Sequence, residues 1–345
     1  MQQLSYTDAE LLSEHDYAAL QQEAGYRLHG GFDASGRYVS PRTRVRWPAV
    51  RAWQQALERR GWPLIDADPG LLQRPSYPNV AQQALLLRHG LGQSLWDALT
   101  VTGVVEARGG MLRDFVAPDF APLVSEDLSV TATGHLNRGL LRAHGLDEAG
   151  DPEAGIGGHD AAWFAVRDEI FGAGAYPVPE IPESLGRPAQ GRRLMPQLPE
   201  DHEQLILLLM NVLMIEVRAE SFFDFCVRVM RTPGLFPRRE DAAAHAADMV
   251  DRIRQDERIH VAYLRTVLSE LRSFTFRSVL DGEEMAGARF MDPVWSDMVQ
   301  WHGVSVYEHD REQTRAKLRS QMRALAGGEA LLAEFDALGD APSVA

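Results

Sequence analysis

Apolar positions recur at three- and four-residue spacing over most of the chain beyond residue 77, which is typical of helices that bury one face. The preceding part is irregular. It contains "GGFDASGRYVSPRTRVRWP", rich in turn-forming residues, and only "AVRAWQQALERRG" predicts a helix there, ended by Gly61. We therefore expect an N-terminal extension over residues 1–76, a helical bundle over 77–272, and a C-terminal helical segment over 273–345.

The two longest helical patterns cover residues 200–231 and about 239–272, separated by the turn "TPGLFPR". The first is apolar nearly all round from Leu205 to Val217, which indicates a helix at the centre of a bundle. Strand patterns are sparse, and no glycine-rich phosphate loop follows a strand. The predicted fold class is therefore mainly α, with two antiparallel helix pairs at its centre.

Shorter helical patterns precede this pair. One covers residues 79–115, and a second covers 125–145, with Ser125 as its N-cap and Gly145 at its end. A third, "HDAAWFAVRDEIFG", follows a glycine-rich loop. A proline-rich connection then leads to the long helices.

Carboxylates interrupt the apolar surfaces of both long helices. Glu216 stands near the end of the apolar run of the first, and Glu220 follows one turn later on the same face. On the second, Glu257 and His260 are three residues apart on an apolar stripe, so both can reach a common point beside the helix. A buried carboxylate is costly unless it is paired or bound to a metal. These residues are therefore candidate metal ligands.

The first half of the bundle offers a less regular set. No Glu-x-x-His occurs between residues 80 and 200. Glu106 follows an apolar stretch and is a candidate ligand, with a neighbouring arginine as its alternative partner. His135 lies about as far beyond the next turn as Glu106 lies before it, whereas His159 opens a helix beside Asp160, itself an unusual ligand or an N-terminal cap. The sequence leaves the choice between the two histidines open.

The segment "DERIH", residues 256–260, is similar to the Asp-Glu-x-x-His motif of ferritin-like diiron proteins such as the ribonucleotide reductase small subunit and soluble methane monooxygenase. The resemblance implies a ferritin-like bundle in which Glu257 and His260 are ligands and Asp256 orients a ligand histidine from the other half. It also implies that Glu216 or Glu220 is the ligand from the preceding helix.

The same resemblance implies two iron ions, with manganese or a mixed manganese–iron pair as alternatives. The expected activity is that of an oxidase or oxygenase, which activates dioxygen to oxidise a small organic substrate and takes electrons from an unidentified donor. A different interpretation needs no metal: the chain is a helical binding or scaffold protein whose carboxylates pair with arginines. The remaining histidines are expected to be ordinary core or surface residues: His89, His144, His245, His302 and His309.

The composition of the chain argues against several classes of partner and site. A net charge of −14 repels phosphate backbones and argues against a nucleic-acid partner. The single cysteine, Cys226, excludes an intrachain disulfide and a zinc site built on several thiolates. The N-terminus lacks a signal-peptide pattern, and the longest apolar run, residues 205–215, is too short to span a bilayer. We expect a cytoplasmic protein with no membrane partner, and the long apolar helices are compatible with a homodimer.

Overall fold

The computed structural model describes residues 3–16, 18–72, 75–183, 186–187 and 191–340. Over these residues the chain is mainly helical, and its few strands form two small hairpins. The predicted mainly α class is confirmed. None of the described helices is long and apolar enough to cross a membrane.

The N-terminal part contains regular elements that the sequence pattern did not predict. It begins with a short helix, α1 (Asp8–Leu11), closed by a capping box between Thr7 and Glu10. The antiparallel strands β1 (Gln21–Glu23) and β2 (Tyr26–Leu28) follow. The predicted helix is α2 (Arg46–Arg59), and the chain turns at Gly61, whose φ is +82°.

The pattern over residues 79–115 forms two helices rather than one: α3 (Val80–Arg88) and α4 (Gln93–Gly109). They are separated by a turn at Gly90, where φ is +75°. A left-handed residue of this kind ends a helix at low cost when it is glycine.

The predicted helix over 125–145 is wrong at both ends. Ser125 is not an N-cap, because its backbone N–H pairs with Thr275 O at 3.1 Å and short 3₁₀ turns follow. A π-type turn over Leu136–Leu140, with non-helical backbone at Gly139, leads into α5 (Leu141–Ala149). Gly145 does not end this helix. A Cβ at Gly145 would lie 2.3 Å from the backbone nitrogen of Arg113, so glycine lets α5 pack closely on the turn after α4.

Three predicted helices form within a residue or two of their expected bounds: α6 (His159–Phe171), α7 (Glu200–Met230) and α8 (Glu240–Ser273). Helix α7 packs along α8, α4 along α6, and α6 also against α8. Two helix pairs therefore lie side by side, and α5 packs against α4 and α6.

The C-terminal part adds a second hairpin and three helices. Strand β3 (Thr275–Arg277) pairs with β4 (Glu284–Ala286). Helix α9 (Ala288–Gln300) runs through a π-type turn, Trp301–Ser305, into α10 (Val306–Arg323). The last helix, α11 (Gly328–Asp340), packs against α10 and α3.

The apolar core has two main parts, one at each end of the α7–α8 pair. One contains Leu205 to Val217 of α7 and Tyr263 to Leu271 of α8, together with residues of the N-terminal part such as Trp53. The other contains the opposite halves of both helices with α4 and α6. Glu216, Glu257 and His260 lie where these two parts meet. The predicted carboxylates thus occupy a polar layer between two apolar regions.

Candidate metal centre

Seven carboxylate and imidazole side chains converge in the polar layer between the two apolar regions. They come from five helices, α4 to α8, and all except the half-buried Glu106 are buried. The seven residues, called the central cluster below, are Glu106, His144, Glu148, His159, Glu216, Glu257 and His260.

One half of the central cluster is built around His144. Its Nε2 lies 3.1 Å from Glu216 Oε1 and 3.3 Å from Glu148 Oε1. His260 completes this half, with Nδ1 3.1 Å from Glu148 Oε1 and 3.8 Å from Glu216 Oε1. One donor atom from each of these four residues lies within 4.8 Å of the others, as is needed to hold one metal ion.

The other half is built around His159 and Glu257. His159 Nδ1 lies 2.7 Å from Glu257 Oε1 and 3.6 Å from Glu148 Oε1. His260 Nδ1 lies 2.8 Å from Glu257 Oε2. These atoms meet the same 4.8 Å limit. Glu148 and His260 belong to both halves, so the two groups of donors overlap.

Glu106 extends the central cluster on the side of α4. Its Oε1 accepts a hydrogen bond of 3.3 Å from Trp163 Nε1. Burial, followed by the charge of Glu148, raises the pKa of Glu106 well above its usual range, so in the absence of a metal the two carboxyls share a proton. Gly109 permits the close approach: a Cβ there would lie 2.6 Å from Glu148 Cγ.

Several polar atoms of the central cluster have no hydrogen bond. Among the described residues, Glu148 Oε1, His159 Nδ1 and Glu257 Oε1 are buried and make no hydrogen bond. His159 Nδ1 lies only 2.7 Å from Glu257 Oε1, and Glu148 Oε1 lies 3.1 Å from His260 Nδ1, but the angles at these short distances are not those of a hydrogen bond. Buried polar atoms are rarely left unpaired. Their lone pairs instead suit a cation placed between them.

The charges also fit a bound cation. Burial and the charge of His260 oppose protonation of His144, but Tyr263 and the cluster carboxylates raise its pKa to about 10. Against burial, Glu257 and Asp147 raise the pKa of His260. The rings of His144 and His260 nevertheless stack with centroids 3.8 Å apart, an unfavourable contact for two imidazolium ions. Metal ions would displace these protons and leave both rings neutral.

Each cluster histidine has an outer partner for its other ring nitrogen. His144 Nδ1 lies 2.7 Å from the hydroxyl of Tyr263, and His260 Nε2 lies 3.1 Å from Asp147 Oδ2. His159 Nε2 lies 3.4 Å from Asp256 Oδ2. Such partners fix the ring orientation and the tautomer of a metal-binding histidine.

The N-terminal part supports these partners. Arg42 Nη2 and Arg46 Nη2 each donate to Asp147 at 2.6 Å, and both guanidinium groups are buried. Asp256 accepts from the hydroxyl of Tyr38 at 2.7 Å and from Ser40 Oγ. Residues 38–46 therefore hold the two carboxylates that orient His260 and His159.

Five of the seven predicted ligands lie together in the central cluster: Glu106, His159, Glu216, Glu257 and His260. Asp256 stands beside His159, as expected for a residue that orients a ligand histidine of the other half. Whether these residues bind metal stays a prediction.

His135 is placed elsewhere. Its Nε2 accepts the backbone N–H of Tyr6 at 2.9 Å, and its Nδ1 lies 2.6 Å from Thr131 O. Its ring packs on Trp53. The chain before α5 is a series of turns rather than a helix antiparallel to α4, so His135 is not brought level with Glu106.

Glu220 and Asp160 also have other roles. Glu220 accepts a 2.7 Å hydrogen bond from Arg254 Nε and is half-buried. Asp160 lies in the first turn of α6, whose N-cap residue is Gly158, and its Oδ1 accepts the backbone N–H groups of Gly158 and Ala161 at 3.1 and 2.6 Å. The alternative explanation of a pair with arginine applies to Glu220, whereas Asp160 binds N–H groups at the helix start without standing at the N-cap position.

The sequence pattern does not predict two members of the central cluster. It predicts His144 as an ordinary histidine and does not single out Glu148. The signal was "HGLDE", which places His144 and Glu148 four residues apart on one face of a helix, with Asp147 between them. The order of histidine and glutamate is the reverse of Glu-x-x-His, so a search for that motif passes over it.

Comparisons of the chain with protein-family models, with curated proteins and with solved structures find no match. The class of site therefore rests on its own geometry: a buried histidine–carboxylate cluster with the donors for metal ions.

Proposed function

We propose that the protein is a ferritin-like dinuclear metal enzyme, a diiron oxidase or oxygenase. One observation carries the proposal: two overlapping groups of buried donors share Glu148 and His260 and are supplied by helices packed side by side. Nitrogen and carboxylate oxygen donors suit iron and manganese, and no thiolate is among them.

The donors divide between two ions. His144 and Glu216 would hold one, and His159 and Glu257 the other, with Glu148 between them. His260 offers only Nδ1 to the cluster, so it would bind one of the two. The four cluster glutamates carry four negative charges when ionised, which equals the charge of two divalent cations.

When bound, a pair of iron ions supplies electrons for reducing dioxygen, and an external reductant must restore them. The chain's own residues do the rest. Tyr263, Asp147 and Asp256 hold the three imidazole rings in place. The two apolar regions on either side exclude bulk water.

A small cavity gives access on the side of His159. It lies between the N-terminal hairpin, α6 and α8, and is lined by both polar and apolar side chains, among them Leu28, Tyr38, His159, Met249, Ile253 and Asp256. Because this cavity reaches His159 and its partner Asp256, it offers dioxygen and a small organic substrate a path to the central cluster.

The alternative of a metal-free scaffold finds support at Glu220, which pairs with Arg254, and at Asp147, which pairs with two arginines. The central cluster differs. Histidines, not arginines, face its glutamates among the described residues. Histidine is the better choice for a metal site, since a guanidinium cannot act as a ligand.

Metal analysis tests the proposal. The protein is purified from iron-supplemented cells, its metal content is measured, and the reduced form is mixed with dioxygen while absorbance is followed. We expect about two iron ions per chain, and at least a tenfold loss in Glu257→Ala and His260→Ala.

Glu220→Ala is the matched control, since Glu220 lies one turn from Glu216 on α7 but outside the central cluster. Its iron content should equal that of the wild type. A wild-type protein with only trace metal, and the same trace content in the two cluster variants, would contradict the proposal.

A further inference from the structure

The opposite face of α7 carries a second group of polar residues, separate from the central cluster. Asn211 and Arg218 are seven residues apart and share one face of the helix, whereas Arg218 is about 200° around the helix from Glu216. Arg187 and His302 meet this face from the loop before α7 and from the π-type turn between α9 and α10. These four residues are called the Arg187 group below.

Asn211 fixes the geometry of the Arg187 group. Its Nδ2 donates to Leu207 O at 2.9 Å, so the other amide atom is the oxygen. This oxygen accepts the backbone N–H of Arg187 at 2.7 Å and lies 3.3 Å from His302 Nε2. His302 Nε2 must therefore be the protonated nitrogen. In the neutral ring, Nδ1 is then left as an acceptor.

Three polar atoms of the Arg187 group have no hydrogen bond among the described residues: Arg187 Nη1, Arg218 Nη1 and His302 Nδ1. All three atoms are buried, and the His302 residue is only 1% exposed. Buried donors and acceptors of this kind are normally paired. The charges of both arginines act on His302, so the three atoms belong to one group, and a ligand between them would supply the missing partners.

The charge of the Arg187 group is poorly balanced. Asp297 is 3.6 Å from Arg187 Nη2, but its side chain is 61% exposed, and Asp310, which acts on Arg218, is exposed too. None of the residues outside the described ranges is Asp or Glu, so they supply no further acidic side chain to balance the two arginines. Burial, followed by the charges of Arg218 and Arg187, lowers the pKa of His302 to about 3. Both guanidinium groups are thus close enough to act on His302, which is neutral at pH 7.

We propose that the Arg187 group binds a small oxyanion that also carries a hydroxyl, of which hydrogen phosphate is the simplest. The two guanidinium groups match the anionic oxygens. The hydroxyl donates to His302 Nδ1, which a fully deprotonated anion cannot do. The π-type turn that presents His302 is a helix distortion often found at functional sites. This site is independent of the proposed metal centre.

Calorimetric titration of the full chain with inorganic phosphate and with sulfate tests the site, at pH 7.5 and equal ionic strength. Sulfate has the same shape and charge as hydrogen phosphate but no proton to donate. We expect one phosphate per chain, bound at least tenfold more tightly than sulfate. Arg218→Met and Arg187→Met should each weaken phosphate at least tenfold.

His302→Leu separates the hydroxyl contact from the charge. Leucine has no acceptor for the phosphate hydroxyl, and Asn211 Oδ1 still accepts the backbone N–H of Arg187, so we expect phosphate affinity to fall to that of sulfate while sulfate affinity stays within twofold. Arg228→Met, at an exposed position on α7, is the control and should bind like the wild type.

Three results would overturn the proposal: no saturable phosphate binding in the wild type, equal affinity for sulfate, or the same loss in Arg228→Met. Variants are compared only where circular dichroism shows the wild-type helix content. Metal content, measured on the same samples, reports on the central cluster separately.

Discussion

At the scale of single residues, the cluster histidines are held from both sides. In each, one ring nitrogen faces glutamate oxygens and the other meets Tyr263, Asp147 or Asp256. Two of these outer partners are carboxylates and one is a phenol. A carboxylate increases the basicity of a ligand imidazole more than a phenol does, so the three histidines are not equivalent.

Removing the hydroxyl of Tyr263 tests the outer partners. In Tyr263→Phe the ring of His144 loses its only partner outside the central cluster among the described residues, but the packing is kept. We expect metal affinity at the His144 half to fall about tenfold, because loss of an outer partner typically costs 10- to 100-fold. Competition with a chelator measures it.

Tyr307→Phe is the matched control, because the Tyr307 hydroxyl donates to Pro75 O, away from the cluster. Equal chelator competition in both variants would show that the Tyr263 hydroxyl does not act through His144.

At the scale of elements, α7 and α8 could be predicted because their apolar periodicity is long and unbroken, and the glutamates stand out against it. Helix α5 could not. It is short, and polar and apolar residues alternate along it with no clear apolar face. Its position depends on close backbone approach at Gly145 and on left-handed backbone at Gly139, which are tertiary properties. The sequence therefore does not single out His144 and Glu148, and it leaves the choice between His135 and His159 open.

Glu270 joins the end of α8 to the turns before α5. Its carboxylate accepts the backbone N–H groups of Ala132 and Thr133 at 3.0 and 2.8 Å, and burial raises its pKa to about 7. Above the unfolded pKa of about 4.5, the folded state holds a proton that the unfolded state has released. Stability should therefore fall as the pH rises from about 4.5 to about 7.

Glu270→Gln removes this titration. We expect the free energy of unfolding of the metal-free wild type to fall by about 2–3 kcal/mol more than that of the variant over this pH range, since one pKa unit corresponds to about 1.4 kcal/mol. Urea unfolding at several pH values measures the difference. Parallel pH profiles for the two proteins would contradict this account of Glu270.

At the scale of the whole molecule, the N-terminal part is joined to the bundle at the site itself. Residues 38–46 hold Asp147 and Asp256, and Trp53 belongs to the same apolar region as α7 and α8. From the sequence this part could be predicted only as an extension, because its turn-rich pattern carries no sign of what it contacts. Its role depends on contacts more than 100 residues apart in the chain.

Substitution of Arg46 tests the contact between the N-terminal part and the bundle. Arg46 is 1% exposed and pairs with the buried Asp147, so Arg46→Met leaves part of a buried charge unpaired. We expect a loss of about 3–5 kcal/mol in the free energy of unfolding. Arg44→Met is the control, since Arg44 pairs with Asp16 at the surface and should contribute less than about 1 kcal/mol. Similar losses in both variants would show that the Asp147 pair does not stabilise the fold.

The central claim is that the central cluster holds two metal ions. Crystals of the protein loaded with Fe(II) without oxygen, measured at the iron absorption edge, test it most directly. The account predicts two anomalous peaks within about 2.0–2.2 Å of cluster donor atoms, one beside His144 and Glu216 and the other beside His159 and Glu257. A fully loaded crystal with no peak among these residues would contradict it.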